Sequence, residues 1–162
     1  IQHNIGIGMT PREFKAGLKA GRLPLHIGMP ECVYEVGDGL GWKIDRVKET
    51  REPVFAKHRV KVPGYKTVEK GHVAGFNHRC FGYAKGKEKI VLEELGNVDP
   101  SLEYSNTIRI DSLPRLMEWM NVPMGNLTTT AHAVNVLPWV VKAKPGLLSM
   151  KELPVVPCLP LK

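Results

Sequence analysis

The sequence is short of several things, and each shortage excludes a class. It has three cysteines in 162 residues, at positions 32, 80 and 158, with no C-x-x-C pair. That count and spacing exclude a disulfide scaffold, a zinc ribbon and a thioredoxin-type site, and suit reduced thiols in a cytoplasmic protein. A chain of this length buries about 70% of its unfolded surface without covalent staples. No run approaches the roughly 18 apolar residues of a membrane span. Ile1–Thr10 lacks the charged start and apolar core of a signal peptide. G-x-G-x-x-G after a strand, the P-loop, H-E-x-x-H and G-x-S-x-G are all missing. The glycine-rich stretch Gly37-Asp38-Gly39-Leu40-Gly41 falls at a helix end, where the negative pole of the dipole repels phosphate. A nucleotide-using enzyme containing this chain would therefore carry its nucleotide site elsewhere. An opening Ile1 instead of Met fits a piece of a longer protein.

What is present is an ordinary globular composition, 43% apolar and 24% charged. The net charge of +7 raises the question of nucleic acid, but the Lys and Arg residues spread from Arg12 to Lys162. The densest group, Arg79 with Lys85, Lys87 and Lys89, surrounds an expected turn and reads as a solvated hairpin tip before a phosphate-binding patch. Phe81, Arg79 and Tyr83 on one strand face are a faint echo of an aromatic–basic nucleic-acid surface, so nucleic acid is a disfavoured partner.

Thr10-Pro11-Arg12-Glu13 supplies an N-cap hydroxyl, Pro at the first helical position and Glu at the third. It predicts a helix over Pro11–Ala20, stopped by Gly21. Pro30–Leu40 reads as a second helix, with Val33, Val36 and Leu40 on one side. From Trp42 the apolar period drops to two. Strands are expected at Lys43–Val47, in part of Phe55–Val62, at Val73–Ala84, at Lys89–Leu95 after a turn at Lys85-Gly86, and at Tyr104–Asp111. The helix over Thr128–Lys142 has only His132 and Asn135 as polar residues between Ala131 and Val141. Such a helix needs cover on more than one side, hence from another domain or subunit, and Pro138 should kink it. The proline-rich tail, 155–162, is expected to be extended. These elements make an α+β fold with a mixed, mostly antiparallel open sheet and helices on one face.

None of the six histidines pairs at metal-ligand spacing on an evident helix, so no metal site is expected. His26 lies just before the second helix. Within Val73–Ala84, His78 shares the even-numbered face with Phe76 and Cys80, while Asn77 and Arg79 take the other. That face is either a sheet edge with solvated histidines or a substrate face lined by His78 and Phe76. Thr128 and Thr129 open the last helix, where free N–H groups and hydroxyls serve as caps or as an anion or amide site.

Three stretches carry a resemblance. They are Gly8-Met9-Thr10-Pro11-Arg12-Glu13-Phe14 with His26-Ile27-Gly28-Met29-Pro30-Glu31; Gly71-His72-Val73-Ala74-Gly75-Phe76; and Gly125-Asn126-Leu127-Thr128-Thr129-Thr130-Ala131 with Val134-Asn135-Val136-Leu137-Pro138 and Pro145-Gly146-Leu147-Leu148-Ser149-Met150. In this order the chain resembles the C-terminal domain of the 2,4-diaminopentanoate dehydrogenase family, in the dihydrodipicolinate-reductase-like group, over Gly8 to about Pro154. The resemblance implies residues 1–154 as a substrate and oligomerisation domain, partnered by an N-terminal Rossmann domain that binds NAD or NADP and carries the acid/base carboxylate. It implies oxidative deamination of a small amine or amino acid, in a homo-oligomer (dimer or tetramer), with no cofactor held by this chain alone. His26, His78, Phe76, Thr128 and Thr129 are then the expected substrate-binding residues. The His-His and Lys-Asp-x-Pro-Ser-Gly-Thr motifs of the lysine-pathway reductase do not occur. A stand-alone ligand-binding or oligomerisation domain is the alternative.

Overall fold

In a computed structural model, residues 3–102, 104–121 and 125–154 are described, those at 125–127 by their backbone. The chain divides into two compact units, Ile1–Asn121 and Val122–Lys162. The tail at 155–162, including Cys158, lies outside the described residues.

The first unit starts with helix α1, Pro11–Lys19. Its capping box is complete: the Glu13 backbone N–H donates to the Thr10 hydroxyl, and the Thr10 N–H donates to the Glu13 carboxylate at 2.7 Å. Helix α2 spans Met29–Gly39, with Pro30 in its first turn. Seven strands follow: β1 Arg46–Phe55, β2 Val60–Lys61, β3 Thr67–Val68, β4 Val73–Ala84, β5 Lys87–Asn97, β6 Ser105–Ile110 and β7 Leu116–Met120. Five of them form one sheet in the order β1-β4-β5-β6-β7, and β2 and β3 pair separately. Every pairing is antiparallel, so the expected mixture of directions gives way to a fully antiparallel sheet among the described strands.

The sheet differs from the sequence expectation in two strands. β1 begins at Arg46 and runs through Pro53 to Phe55. It tolerates the proline because it is an edge strand, whose outer side needs no ladder donor. β7 lies between Pro114 and Pro123 with all five residues exposed, so it carries no alternation of burial to betray it. By contrast, the two-residue turn between β4 and β5 sits where Lys85-Gly86 predicts it. Both residues have positive φ, 52° and 72°, the geometry of a type I′ hairpin turn.

One face of the sheet carries the helices. α2 lies over Gly82, where an added Cβ would collide with Val33. Met29 and Val33 pack there with Cys80, Ile90 and Leu92. Gly37, which costs the helix about 1 kcal/mol in propensity, leaves room for Ile44 against its backbone. α1 and the loop after it cover the other end of the same face, where Phe14, Leu23 and Leu25 surround Val73 and Phe76.

In the second unit, helix α3 spans Gly125–Lys142 and continues through Pro138. Val134, Leu137, Val140 and Val141 on it are exposed. No helix among the described residues is long and apolar enough to cross a membrane.

Because Gly82 sets the distance of α2 from β4, Gly82→Ala is expected to lose about 1–3 kcal/mol of stability, the scale of overpacking in a close-packed core. Urea denaturation should show a lower midpoint at an unchanged slope.

Candidate functional site

Between the patches covered by α1 and α2 runs a polar seam, and strand register builds it. Arg51 of β1 stands opposite His78 of β4, His78 opposite Glu94 of β5, and Glu94 opposite Asn106 of β6. Residues directly opposite on adjacent strands share a face, so four polar side chains form one row across four strands. On one flank the row meets Phe76, opposite Gly96; on the other it meets Cys80 and Leu92. An added Cβ at Gly96 would strike the Phe76 ring at 2.9 Å, so the glycine lets that ring lie flat against β5.

His78 is fully buried, and its Nε2 lies 2.6 Å from Glu49 Oε1. The same oxygen accepts from Arg51 Nε at 3.0 Å and from the Arg51 terminal nitrogen at 2.7 Å. Burial holds the His78 ring below its ordinary pKa, against the opposing pull of the Glu49 carboxylate. Burial pushes Glu49 up, but hydrogen bonds from Arg51 and His78 outweigh it and hold the carboxylate low. A neutral ring beside an ionised carboxylate must carry its proton on Nε2 to donate. That leaves Nδ1 as a buried acceptor with no partner among the described atoms.

Glu49, His78 and Cys80 also bring an oxygen, a nitrogen and a sulfur within 4.8 Å of one another. Their chemistry does not favour a cation. Arg51 already neutralises the carboxylate, and burial, with Glu49 adding to it, pushes the Cys80 thiol up to about 11.

The other half of the seam is less well compensated. The Glu94 side chain is 19% exposed, and its nearest basic group is His26 Nδ1 at 3.8 Å, on a ring that is 50% exposed. Burial raises the Glu94 pKa, and His26 offsets this only in part. Tyr104 stands close enough that its own pKa is raised, first by burial and then by the Glu94 charge.

The structure thus gathers three of the expected site residues, His26, His78 and Phe76, on the helix-bearing face. The His78 ring N–H is engaged by Glu49, and the residue has no exposed surface. α3 starts at Gly125, three residues before the expected opening, so Thr128 and Thr129 are its fourth and fifth residues, in the second unit. Sequence reasoning missed Glu49, Arg51 and Glu94. The signal for Glu94 was present: Ile90, Leu92, Glu94 and Gly96 alternate on one strand face, so a carboxylate occupies an inward position. At the hairpin tip, Trp42, Lys43, Lys85 and Lys87 border an open cleft of about 650 Å³ whose wall includes Asp45. Lys89 there is held by Asp111 at 3.0 Å.

An antiparallel sheet with helices on one face and a titratable seam in the gap between them defines an α+β domain. The family model for the 2,4-diaminopentanoate dehydrogenase C-terminal domain matches residues 1–160, and the chain belongs to this family. The chain is 32% identical over 161 residues to the 2,4-diaminopentanoate dehydrogenase of Acetoanaerobium sticklandii, covering 96% of this chain and 45% of that protein. It thus spans about half the length of the curated relative it matches. The fold is shared with the amine dehydrogenase of Mycobacterium smegmatis, at a TM-score of 0.77 and 23% identity, over 95% of this chain and 46% of that one.

The depressed pKa of His78 gives a pH prediction. The folded state binds a proton at His78 less readily than the unfolded chain does, so this contribution to stability is complete above the unfolded value near 6.5 and is lost as pH falls through the folded value. Urea midpoints are expected to fall from pH 7.5 to pH 5.5. His78→Gln, which keeps a donor for Glu49 but does not titrate, should flatten that slope; an equal slope in the variant would assign it to other groups.

Proposed function

We propose that this chain is the substrate-binding and oligomerisation half of an NAD(P)-dependent dehydrogenase that converts an amine to a ketone by reversible oxidative deamination. Family membership supports the reaction class. The observation that carries the assignment to substrate binding is the seam, where the exposed His26 ring and the under-compensated Glu94 lie beside the apolar Phe76 wall. An amine substrate needs such a surface, with polar groups to orient its nitrogen and an apolar flank to exclude water.

NAD or NADP supplies the hydride acceptor in this proposal. The chain offers no glycine-rich turn opening a helix, so its own residues do not fit the dinucleotide. An N-terminal Rossmann domain is the partner that would hold the cofactor and the acid/base carboxylate. The preferred substrate is 2,4-diaminopentanoate or a related small amine. Thr128 and Thr129 are retained as donors to it through their side-chain hydroxyls. The cytoplasm is the compartment that suits a pyridine-nucleotide enzyme with free thiols.

The sheet face opposite the helices supports the oligomerisation role. Phe81, Val91 and Met117 follow one another across it, with Arg109 between the last two, and Trp119 lies in the adjoining row. Met117 is 68% and Trp119 52% exposed, the kind of apolar surface a second subunit would cover.

The full-length protein is expected to reduce NAD+ or NADP+ in the presence of 2,4-diaminopentanoate, with ammonia released in step. The 162-residue chain alone should show no micromolar affinity for NADH in calorimetric titration. Absence of turnover with any small amine would end the dehydrogenase reading; tight NADH binding by the chain alone would end the division of labour. For the open face, Val91→Glu with Trp119→Glu is expected to shift the mass seen by light scattering towards monomer.

A further inference from the structure

The seam contains two carboxylates in contrasting states. Glu49 is closed, with the Arg51 guanidinium and the His78 N–H both on one oxygen. Glu94 is open. It is four-fifths withdrawn from water, in the middle of the sheet, and its one ion-pair partner among the described residues is a half-exposed histidine at 3.8 Å, beyond hydrogen-bond reach. Asn106, Tyr104 and the His78 ring, whose N–H is given to Glu49, are its other neighbours and bring it no charge. A carboxylate in that position costs desolvation that, among the described residues, His26 repays only in part. A ligand cation would repay it.

We infer that Glu94 is the counter-ion for an ammonium group of the substrate that does not react, so that the seam selects amines carrying a second, spectator nitrogen. This rests on the amine-dehydrogenase reading above. The choice of the spectator nitrogen follows from the chemistry. A carboxylate paired with an ammonium holds its proton in place, whereas hydride can leave the carbon only when the attached nitrogen has a free lone pair. Glu94 would oppose the reaction if it held the reacting amine, and it favours binding without that penalty if it holds the other one. The His26 ring, half in solvent beside it, is the group the arriving cation displaces. Phe76 and Leu92 flank the pair on either side and lower the local dielectric, which strengthens it.

The test uses two substrates that differ by one nitrogen, 2,4-diaminopentanoate and 4-aminopentanoate, with the full-length protein. Glu94→Gln keeps the shape of the side chain and removes a poorly compensated charge, so the variant should fold with an undiminished thermal midpoint. It is expected to lose about 10–100-fold in kcat/KM for 2,4-diaminopentanoate, the scale of one charge-assisted hydrogen bond. For 4-aminopentanoate the change should stay within about threefold, because that substrate has no second ammonium to lose. Equal losses on both substrates would place Glu94 at the reacting centre and overturn the inference. No loss on either would overturn it as well. Should the wild-type protein oxidise neither amine, the dehydrogenase reading falls by itself, and calorimetric titration of wild type and Glu94→Gln with the same two compounds decides on Glu94. A preference for the diamine that Glu94→Gln abolishes upholds its role, and equal binding by the two proteins refutes it.

Discussion

The pairing register of β4 with β5 is the constraint on which the rest depends. These are long strands, and the Lys85-Gly86 turn fixes their alignment. From that alignment His78 meets Glu94, Phe76 meets Gly96 and Gly82 meets Ile90. A slip of one residue would turn every side chain of one strand to the opposite face. Asn77, Arg79 and Phe81 would then lie under the helices, and His78 would be lost from the seam. The register is defended twice. The two positive-φ turn residues permit only a short list of hairpins, and the contact of Val33 with Gly82 admits α2 at one place on the strand.

That same contact explains why a polar row survives on a buried face. α2 closes over Cys80, Ile90 and Leu92, and the α1 region closes over Val73 and Phe76. Two helices of nine and eleven residues span only about 14 and 17 Å, too little to cover strands of this length from end to end. The gap between them falls on the row Arg51–His78–Glu94–Asn106. Arg51 and Glu94 there cost less than they would under either helix, because water still reaches part of each. The protein uses this allowance unevenly. It neutralises Glu49 internally with Arg51 and the His78 N–H, although His78 Nδ1 keeps no partner among the described atoms, and it leaves Glu94 to a weak and distant partner. A structural network tends to complete its hydrogen bonds; a binding surface keeps one unsatisfied until its ligand arrives.

Much of the fold was legible in the sequence because it is written in local rules. The capping box at Thr10 and Glu13 located α1, the alternation in Val73–Ala84 gave β4 its full extent, and Lys85-Gly86 gave the turn. Alternation alone ends the first strand at Val47, whereas β1 runs on through Pro53 to Phe55, a course that its place at the sheet edge permits. β7 offers no burial contrast, so periodicity has nothing to detect. The site was legible by halves. Period two placed His78 with Phe76 and Cys80, but whether His78 faces a substrate or a neighbouring carboxylate depends on Glu49, 29 residues earlier and on another strand. Long-range pairing of this sort leaves no trace in spacing.

The two faces of the sheet bear on completeness in different ways. A domain that folds for its own sake buries its apolar rows and solvates its charges. Here Met117 and Trp119 are exposed on one face, while a carboxylate is withdrawn on the other without a full partner. The second unit shows the same pattern, with Val134, Leu137, Val140 and Val141 exposed on α3. Each departure costs stability in isolation, and contact with an apolar surface in two cases, or with a cation in the third, is what would recover it. In the proposed function, the free energy that these surfaces lack within the chain is what association and substrate selection draw on.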